Sequence, residues 1–207
     1  KLKIEKYIVS LSNVSRPKIC FIPTASGDNT LYKLNFYRAF STFNCITSHL
    51  DFFSRTEDLE EKIFSQNIIF VGGGNTKSML AVWRDWNLDK ILKKAYQSGV
   101  IMSGVSAGAI CWFQKGITDS FAKKLEVINC LSFVEGNACP HYDEEPEREP
   151  YVQKSIKNGL INSCICIEGN SALHIQNENV MKTVNFGKNK KCFELFKENK
   201  KILKKIF

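Results

Sequence analysis

The stretch VIMSGVSAGAICWF, residues 100–113, contains an apolar run, a turn of small residues around Ser106, and a second apolar segment. A plain turn would favour Asn, Asp or Pro, and a packing role would favour bulk. The pattern instead predicts a buried strand, a sharp turn, and then a helix over AGAICWF. Working outward, NIIFVGGGNT (67–76) is another strand ending in a glycine loop, KICFIPTAS (18–26) is a short strand broken at Pro23, and CITSHLDFF (45–53) is a further one. Between them, DNTLYKLNFYRAFSTF (28–43) places Leu31, Leu34, Tyr37 and either Ala39 or Phe40 at helical spacing. TEDLEEKIFSQ (56–66) reads as a helix with an acidic first turn, which suits the helix dipole. NTKSMLAVWRDW and NLDKILKKAYQSG are two more, the second stopped by Gly99. Strands alternating with helices, without hairpin signals, predict right-handed βαβ units and a parallel sheet covered on both faces.

The second half is less regular. LEVINCLSF (125–133) reads as a strand, VEGNACPHYDEEPEREP as a long loop, and YVQKSIKNG as a short helix. SCICIEGNSALHIQNENVMKTV reads as short strands joined by turns, the pattern of a mixed sheet edge. The basic run KNKKCFELFKENKKILKK (188–205) is expected to be a solvated helix face. With no repeat, low-complexity tract or linker, one domain over residues 1–207 is expected.

Composition narrows the function classes. The 43% hydrophobic and 24% charged fractions are those of a globular protein, and no apolar run approaches the ~20 residues that cross a bilayer. KLKIEKYIVS lacks the apolar core and cleavage site of a signal peptide, and the missing initiator Met suggests that a short leading segment has been removed. A cytoplasmic location and no membrane partner are therefore expected. The formal net charge of +8 comes without an aromatic-interleaved basic motif, so no nucleic-acid partner is expected either. Eight cysteines form no C-x-x-C pair and no zinc spacing. They are expected to be reduced, mostly buried thiols, Cys111 and Cys192 on helices, with no metal bound.

Reactive groups in an open parallel sheet collect where strands end. Gly104-Val105-Ser106-Ala107-Gly108 fits G-x-S-x-G, the turn that lifts a serine hydroxyl out of a sheet, with the Ala107 N–H aimed at an oxyanion. Gly72-Gly73-Gly74-Asn75-Thr76 offers unobstructed N–H groups that suit a second oxyanion donor, or else is a tight turn capped by Asn75 or Thr76. Its spacing does not fit a phosphate loop. Of three histidines, His49 and His174 lie on expected strands, whereas His141 sits in a polar loop and is the candidate base for Ser106. Glu168, at a strand end, is the candidate orienting acid and Asp119 its competitor; Asp143, Glu144 and Glu145 are expected to face solvent.

Taken together, FVGGGNT, GVSAGAICWF, PHYDEEPERE and IEGNSAL resemble, in order, the motifs of the peptidase E family of serine peptidases, which includes aspartyl dipeptidases and, more distantly, cyanophycinases. The resemblance runs from about Phe21 to Leu173. It implies a flavodoxin-like three-layer sandwich with a mainly parallel sheet, related to the class I glutamine amidotransferases. It also implies Ser106 as nucleophile, His141 as base, Glu168 or Asp119 as acid, and an oxyanion hole from Ala107 with Gly73 or Gly74. Arg148 matches a family arginine that would hold a substrate carboxylate, which implies a dipeptidase acting after an N-terminal Asp. No cofactor is implied; the expected partner is a small peptide, with the protein a monomer or homodimer. A serine esterase or amidase of other specificity and a non-catalytic binding protein on the same scaffold are the alternatives.

Overall fold

The computed structural model describes residues 2–122, 124–177 and 179–207. The chain divides after Ala109 into two compact units, each built round its own sheet. The first contains α1 (Lys3–Ser10), β1 (Lys18–Ile22), a 3-10 turn (Thr24–Ser26), α2 (Thr30–Phe40), β2 (Ile46–His49) and α3 (Leu59–Phe64). It continues with β3 (Ile68–Val71), α4 (Thr76–Asp85), α5 (Leu88–Gln97), β4 (Ile101–Gly104) and the start of a single-turn α6 (Ala107–Ile110). The strands lie in the order β2-β1-β3-β4, all parallel. From β1 the chain winds first to one side and then to the other. This creates a topological switch point between β1 and β3, where the loops leaving the two strands diverge.

Phenylalanine fills one face of this sheet. Phe21 of β1 stacks on Phe36 of α2 at 4.7 Å, and Phe36 meets Phe40 at 4.7 Å. Ile8 of α1, Ile19 and Ile68 complete the cluster. Alternation along the strands turns Cys20, Ile22, Ile69 and Val71 to the opposite face, where they are equally buried. The stripe expected on α2 holds at Tyr37, Ala39 and Phe40, which lie in or against this cluster, but Leu31 and Leu34 are 64% and 61% exposed and Phe36 is buried in their stead. Asn29 caps the helix by accepting the Tyr32 N–H, which starts it at Thr30 and turns residues 32, 36 and 40 inward.

The second unit holds β5 (Phe113–Phe121), β6 (Lys124–Asn129), β7 (Val134–Cys139), α7 (Arg148–Lys157), β8 (Ser163–Ile167), β9 (Ser171–Gln176), β10 (Asn179–Asn185), β11 (Cys192–Glu198) and β12 (Lys201–Ile206). Six strands form one sheet, β12-β11-β8-β7-β5-β6, parallel across β5, β7 and β8 and antiparallel at both margins. β9 and β10 form a separate antiparallel pair. Val152 and Ile156 of α7 share a buried cluster with Ile117, Cys139, Cys164, Cys166, Phe193 and Leu195. The fold is thus mixed α/β with mainly parallel sheets, the class expected. Among the described residues, no helix is long and apolar enough to cross a membrane.

Three local readings are corrected. The long loop expected over VEGNACPHYDEEPEREP begins as the strand β7, paired with β5 and β8. The helix expected over AGAICWF is one turn long, so Cys111 lies beyond it and Phe113 begins a strand. The carbonyls of Cys111, Trp112 and Phe113 accept from Leu131, Phe133 and Ser132 and cannot serve a continuing helix. The basic run at 188–205 contains the hairpin β11–β12, and Cys192 is on a strand. Phe193 and Leu195 are buried at a spacing of two, and Asn199 and Lys200, at φ 47° and 64°, form a two-residue turn with both centres left-handed. Replacing Lys200 by Gly removes the cost of that conformation. K200G should raise stability by about 0.5–1 kcal/mol in a urea titration; a Gly inside a helix would lower it by a similar amount.

Candidate active site

The sequence-predicted residues fall into two groups, one in each unit. In the first, the β3–β4 ladder continues past Gly104 as the Val105 N–H donates to the Val71 carbonyl at 3.1 Å. Ser106 then turns at φ 56°, a left-handed conformation that costs an L-residue about 1–2 kcal/mol. The neighbouring glycines make that turn possible. A Cβ on Gly108 would collide with the Val71 carbonyl, and one on Gly104 with the Gly108 carbonyl. Ser106 Oγ makes no hydrogen bond among the described residues.

Gly73 lies against this turn: a Cβ there would stand 3.1 Å from Ser106 Cβ and 3.7 Å from its Oγ. Gly74, at φ 135°, packs where a Cβ would collide with the Ala25 carbonyl, and Asn75 N–H donates to that carbonyl at 2.7 Å. Asn75 also caps α4, accepting from the Ser78 N–H. The loop is therefore both a capped turn and a set of N–H groups beside the serine. The Gly73 N–H donates to the Tyr32 hydroxyl at 3.0 Å. Those of Gly74 and Ala107 have no acceptor among the described residues. Because α6 is a single turn, its dipole is small and the local N–H groups carry the field.

In the second unit, β7 ends at Cys139 and His141 turns at φ 52°. The Tyr142 N–H donates to the Ile167 carbonyl at the end of β8. The Glu144 and Glu145 N–H groups both donate to the His141 carbonyl, closing the loop into a tight turn. That turn brings Glu144 Oε2 to 2.6 Å from His141 Nδ1. Glu144 rests over Gly169, where a Cβ would collide with its Oε1. Glu144, expected only to face solvent, is thus the carboxylate that meets the His141 imidazole. The available signal was H-x-x-E in a turn, which brings residues three apart onto one side.

The other expected acids lie elsewhere. Glu168 Oε2 accepts the Lys191 N–H at 2.9 Å. Asp119 is 68% exposed, with Oδ1 3.9 Å from Arg148 Nη2. Arg148, expected to meet substrate, is 2% exposed. Its Nε and Nη2 lie 2.7 and 2.6 Å from Glu145 Oε2, and Nη1 donates to the Ile117 carbonyl at 3.2 Å. Asp143 accepts the Gly169 N–H at 2.8 Å and pairs with Lys190. Partial desolvation pushes the Asp143 carboxyl up, but hydrogen bonds from Lys190 and Gly169 outweigh it and hold the group below its ordinary 3.8. His49 is a rim histidine, its Nδ1 2.6 Å from the Tyr37 hydroxyl, and His174 lies on β9. Burial pushes the Cys20 thiol up to about 11 and that of Cys139 to about 12, which unsuits both to nucleophilic work.

The first unit thus carries a strained serine beside glycine N–H groups, and the second a histidine with its own carboxylate, the residue types that serine acyl transfer employs. The chain belongs to peptidase family S51, a family of serine peptidases, whose sequence model matches residues 1–183. It is 41% identical over 195 residues to the uncharacterized peptidase YgaJ of Bacillus subtilis (strain 168), covering 94% of this chain and 84% of that protein. It is 30% identical over 152 residues to the uncharacterized peptidase Lmo0363 of Listeria monocytogenes, covering 67% and 72%. Among solved structures, the fold matches a peptidase from an acI-B1 Actinobacterium with TM-score 0.66 at 15% identity, covering 98% of this chain and 87% of the other.

Two predictions follow from the charge pairs. R148A leaves Glu145 unpaired and should lower stability by about 2 kcal/mol in denaturant titration; a residue serving substrate alone would leave the midpoint unchanged. Asp143, with its folded pKa depressed, contributes stability that is present above its unfolded pKa and lost as pH falls through the folded value. The acid limb of a Tm-against-pH profile below 3.8 should therefore be shallower in D143N than in the wild type.

Proposed function

We propose that the protein is a serine exopeptidase acting on dipeptides and other small peptides. Ser106 is the nucleophile, His141 the general base and Glu144 the acid that orients it. The observation that carries this reading is the elbow itself: Ser106 at φ 56° between two glycines that tolerate no Cβ. The Glu144 contact supports a tautomer in which His141 Nδ1–H donates to the carboxylate and Nε2 is left to accept. His141 takes the Ser106 proton as Oγ attacks the peptide carbonyl, and the N–H groups of Ala107 and Gly74 receive the developing oxyanion. Protonated His141 then gives its proton to the leaving amine. Water, deprotonated by the same imidazole, releases the acyl group and restores Ser106.

Restriction to an N-terminal Asp would need a cation for that side chain. The arginine expected for it is engaged by Glu145, and the loop acids Asp143, Glu144 and Glu145 are each paired with a cation or with His141. Arg148 is therefore not placed to supply that cation, and this supports cleavage across several N-terminal residues.

The test is hydrolysis of X-Leu dipeptides, with X as Asp, Glu, Asn, Ala and Lys, and N-blocked controls. Turnover of several free dipeptides is expected, lost by about 10⁴–10⁶-fold in S106A. E144Q should cost about 10²–10⁴-fold by favouring the wrong tautomer, and E168Q less than tenfold. Cleavage confined to Asp-Leu would restore the aspartyl specificity. Full loss in E168Q with an active E144Q would return the acid role to Glu168.

A further inference from the structure

We propose that the Tyr32 hydroxyl belongs to the oxyanion site, accepting the Gly73 N–H and donating its own proton in a hydrogen bond to the acyl oxygen of a substrate on Ser106. The inference rests on Ser106 being the nucleophile. It starts from an arrangement that the strand-end motifs do not contain. Gly73 is the backbone neighbour of Ser106, yet its N–H already donates to Tyr32 at 3.0 Å. A bare Gly73 N–H is therefore not what a substrate meets.

The position follows from the topology. Tyr32 lies on α2, reached by the loop leaving β1, and Gly73 lies in the loop leaving β3. These loops flank the switch point of the sheet, where open α/β folds bind ligands. Tyr32 is also held from several sides. Its N–H donates to the capping Asn29 Oδ1 at 2.9 Å. Its ring meets Phe21 edge-on, with centroids 5.1 Å apart at 66°. A Cβ on Gly72 would come within 3.0 Å of its Cε1, so the glycine makes room for the ring. Such support fixes the phenol oxygen in place before substrate arrives, the condition for effective electrostatic stabilisation.

A phenol is both donor and acceptor. Its oxygen takes the Gly73 N–H, and among the described residues its own proton has no acceptor. Accepting one hydrogen bond polarises the hydroxyl and strengthens the bond it donates. Tyr32 thus carries the pull of the Gly73 amide to an oxyanion and adds a donor to those of Gly74 and Ala107. The proton remains on Tyr32 throughout, and no bond to it is made or broken.

Y32F retains the ring and removes only the hydroxyl. The assay is the second-order rate at which a fluorophosphonate labels Ser106, which needs no knowledge of the peptide substrate because the phosphonyl oxygen occupies the oxyanion site. Circular dichroism melting of Y32F monitors the fold, and the affinity of a peptide aldehyde provides a second readout. Labelling should be absent in S106A. In Y32F it should be slower by about 10–10²-fold, with aldehyde affinity reduced in proportion and the melting temperature within a few degrees of wild type. Labelling within twofold of wild type, or slower labelling with unchanged aldehyde affinity, would overturn the assignment and leave Tyr32 as a support of the loop. Should Y32F melt far below wild type, the same two readouts on 3-fluorotyrosine at position 32, a stronger donor on an intact ring, decide: both must shift together. Labelling that persists in S106A would overturn the nucleophile, and this proposal with it.

Discussion

No Cβ fits at Gly104 or Gly108, because the turn after β4 lies directly against the Val71 carbonyl at the end of β3. That close approach of backbone to backbone is the constraint on which the serine half of the site depends. It forces the chain through a left-handed residue between the glycines, and that residue is Ser106. Strain of about 1–2 kcal/mol at such a position persists only where the surrounding structure determines it. Here the parallel ladder between β3 and β4 does so, running on through Val105 to the point of the turn. His141 is left-handed as well, fixed by the hydrogen bond from Tyr142 to the end of β8 and by two amides returning to its own carbonyl.

Legibility differs between the two halves for physical reasons. The four parallel strands and the helices between them could be read from periodicity, since each buried run is short and ends in a turn residue. Helix α1 escaped notice because KLKIEKYIVS is too short and too charged to stand out. On α2 the spacing gave the helix and placed Tyr37, Ala39 and Phe40 against the core, but Leu31 and Leu34 are exposed because the cap at Asn29 turns Tyr32 and Phe36 inward instead. Past Ile110 the failures share a cause. Residues 111–113 give their carbonyls to residues 131–133, and the basic run folds back through Asn199 and Lys200. Both are non-local or turn-specific effects that an apolar count cannot register.

The site shows the same contrast. G-x-S-x-G and the glycine loop could be read because steric necessity leaves few residue types possible there. The carboxylate partner of His141 could not, since sequence separation is a poor guide inside a tight turn: Glu144 is three residues away and reaches the imidazole because the turn curls it back over Gly169. Arg148 shows the opposite hazard. A matching residue type at a matching place is buried and engaged by Glu145. The acid-rich loop reads in sequence as a negative surface, yet Asp143 and Glu145 face Lys190 and Arg148. Those two pairs help to hold the loop in shape.

The hairpin that replaced an expected helix has a consequence of its own. β12 is the outermost strand of the six-stranded sheet, so one row of its amides and carbonyls has no neighbouring strand in that sheet. Such a margin is a template on which a strand from another molecule can dock, the first step toward open-ended aggregation. The sequence there, KILKKI, places lysines at 201, 204 and 205. A second chain approaching in register would have to bring its own lysines alongside these and strip water from them. The basic run expected to be a solvated helix face is thereby an edge strand whose lysines raise the cost of pairing a second strand to it.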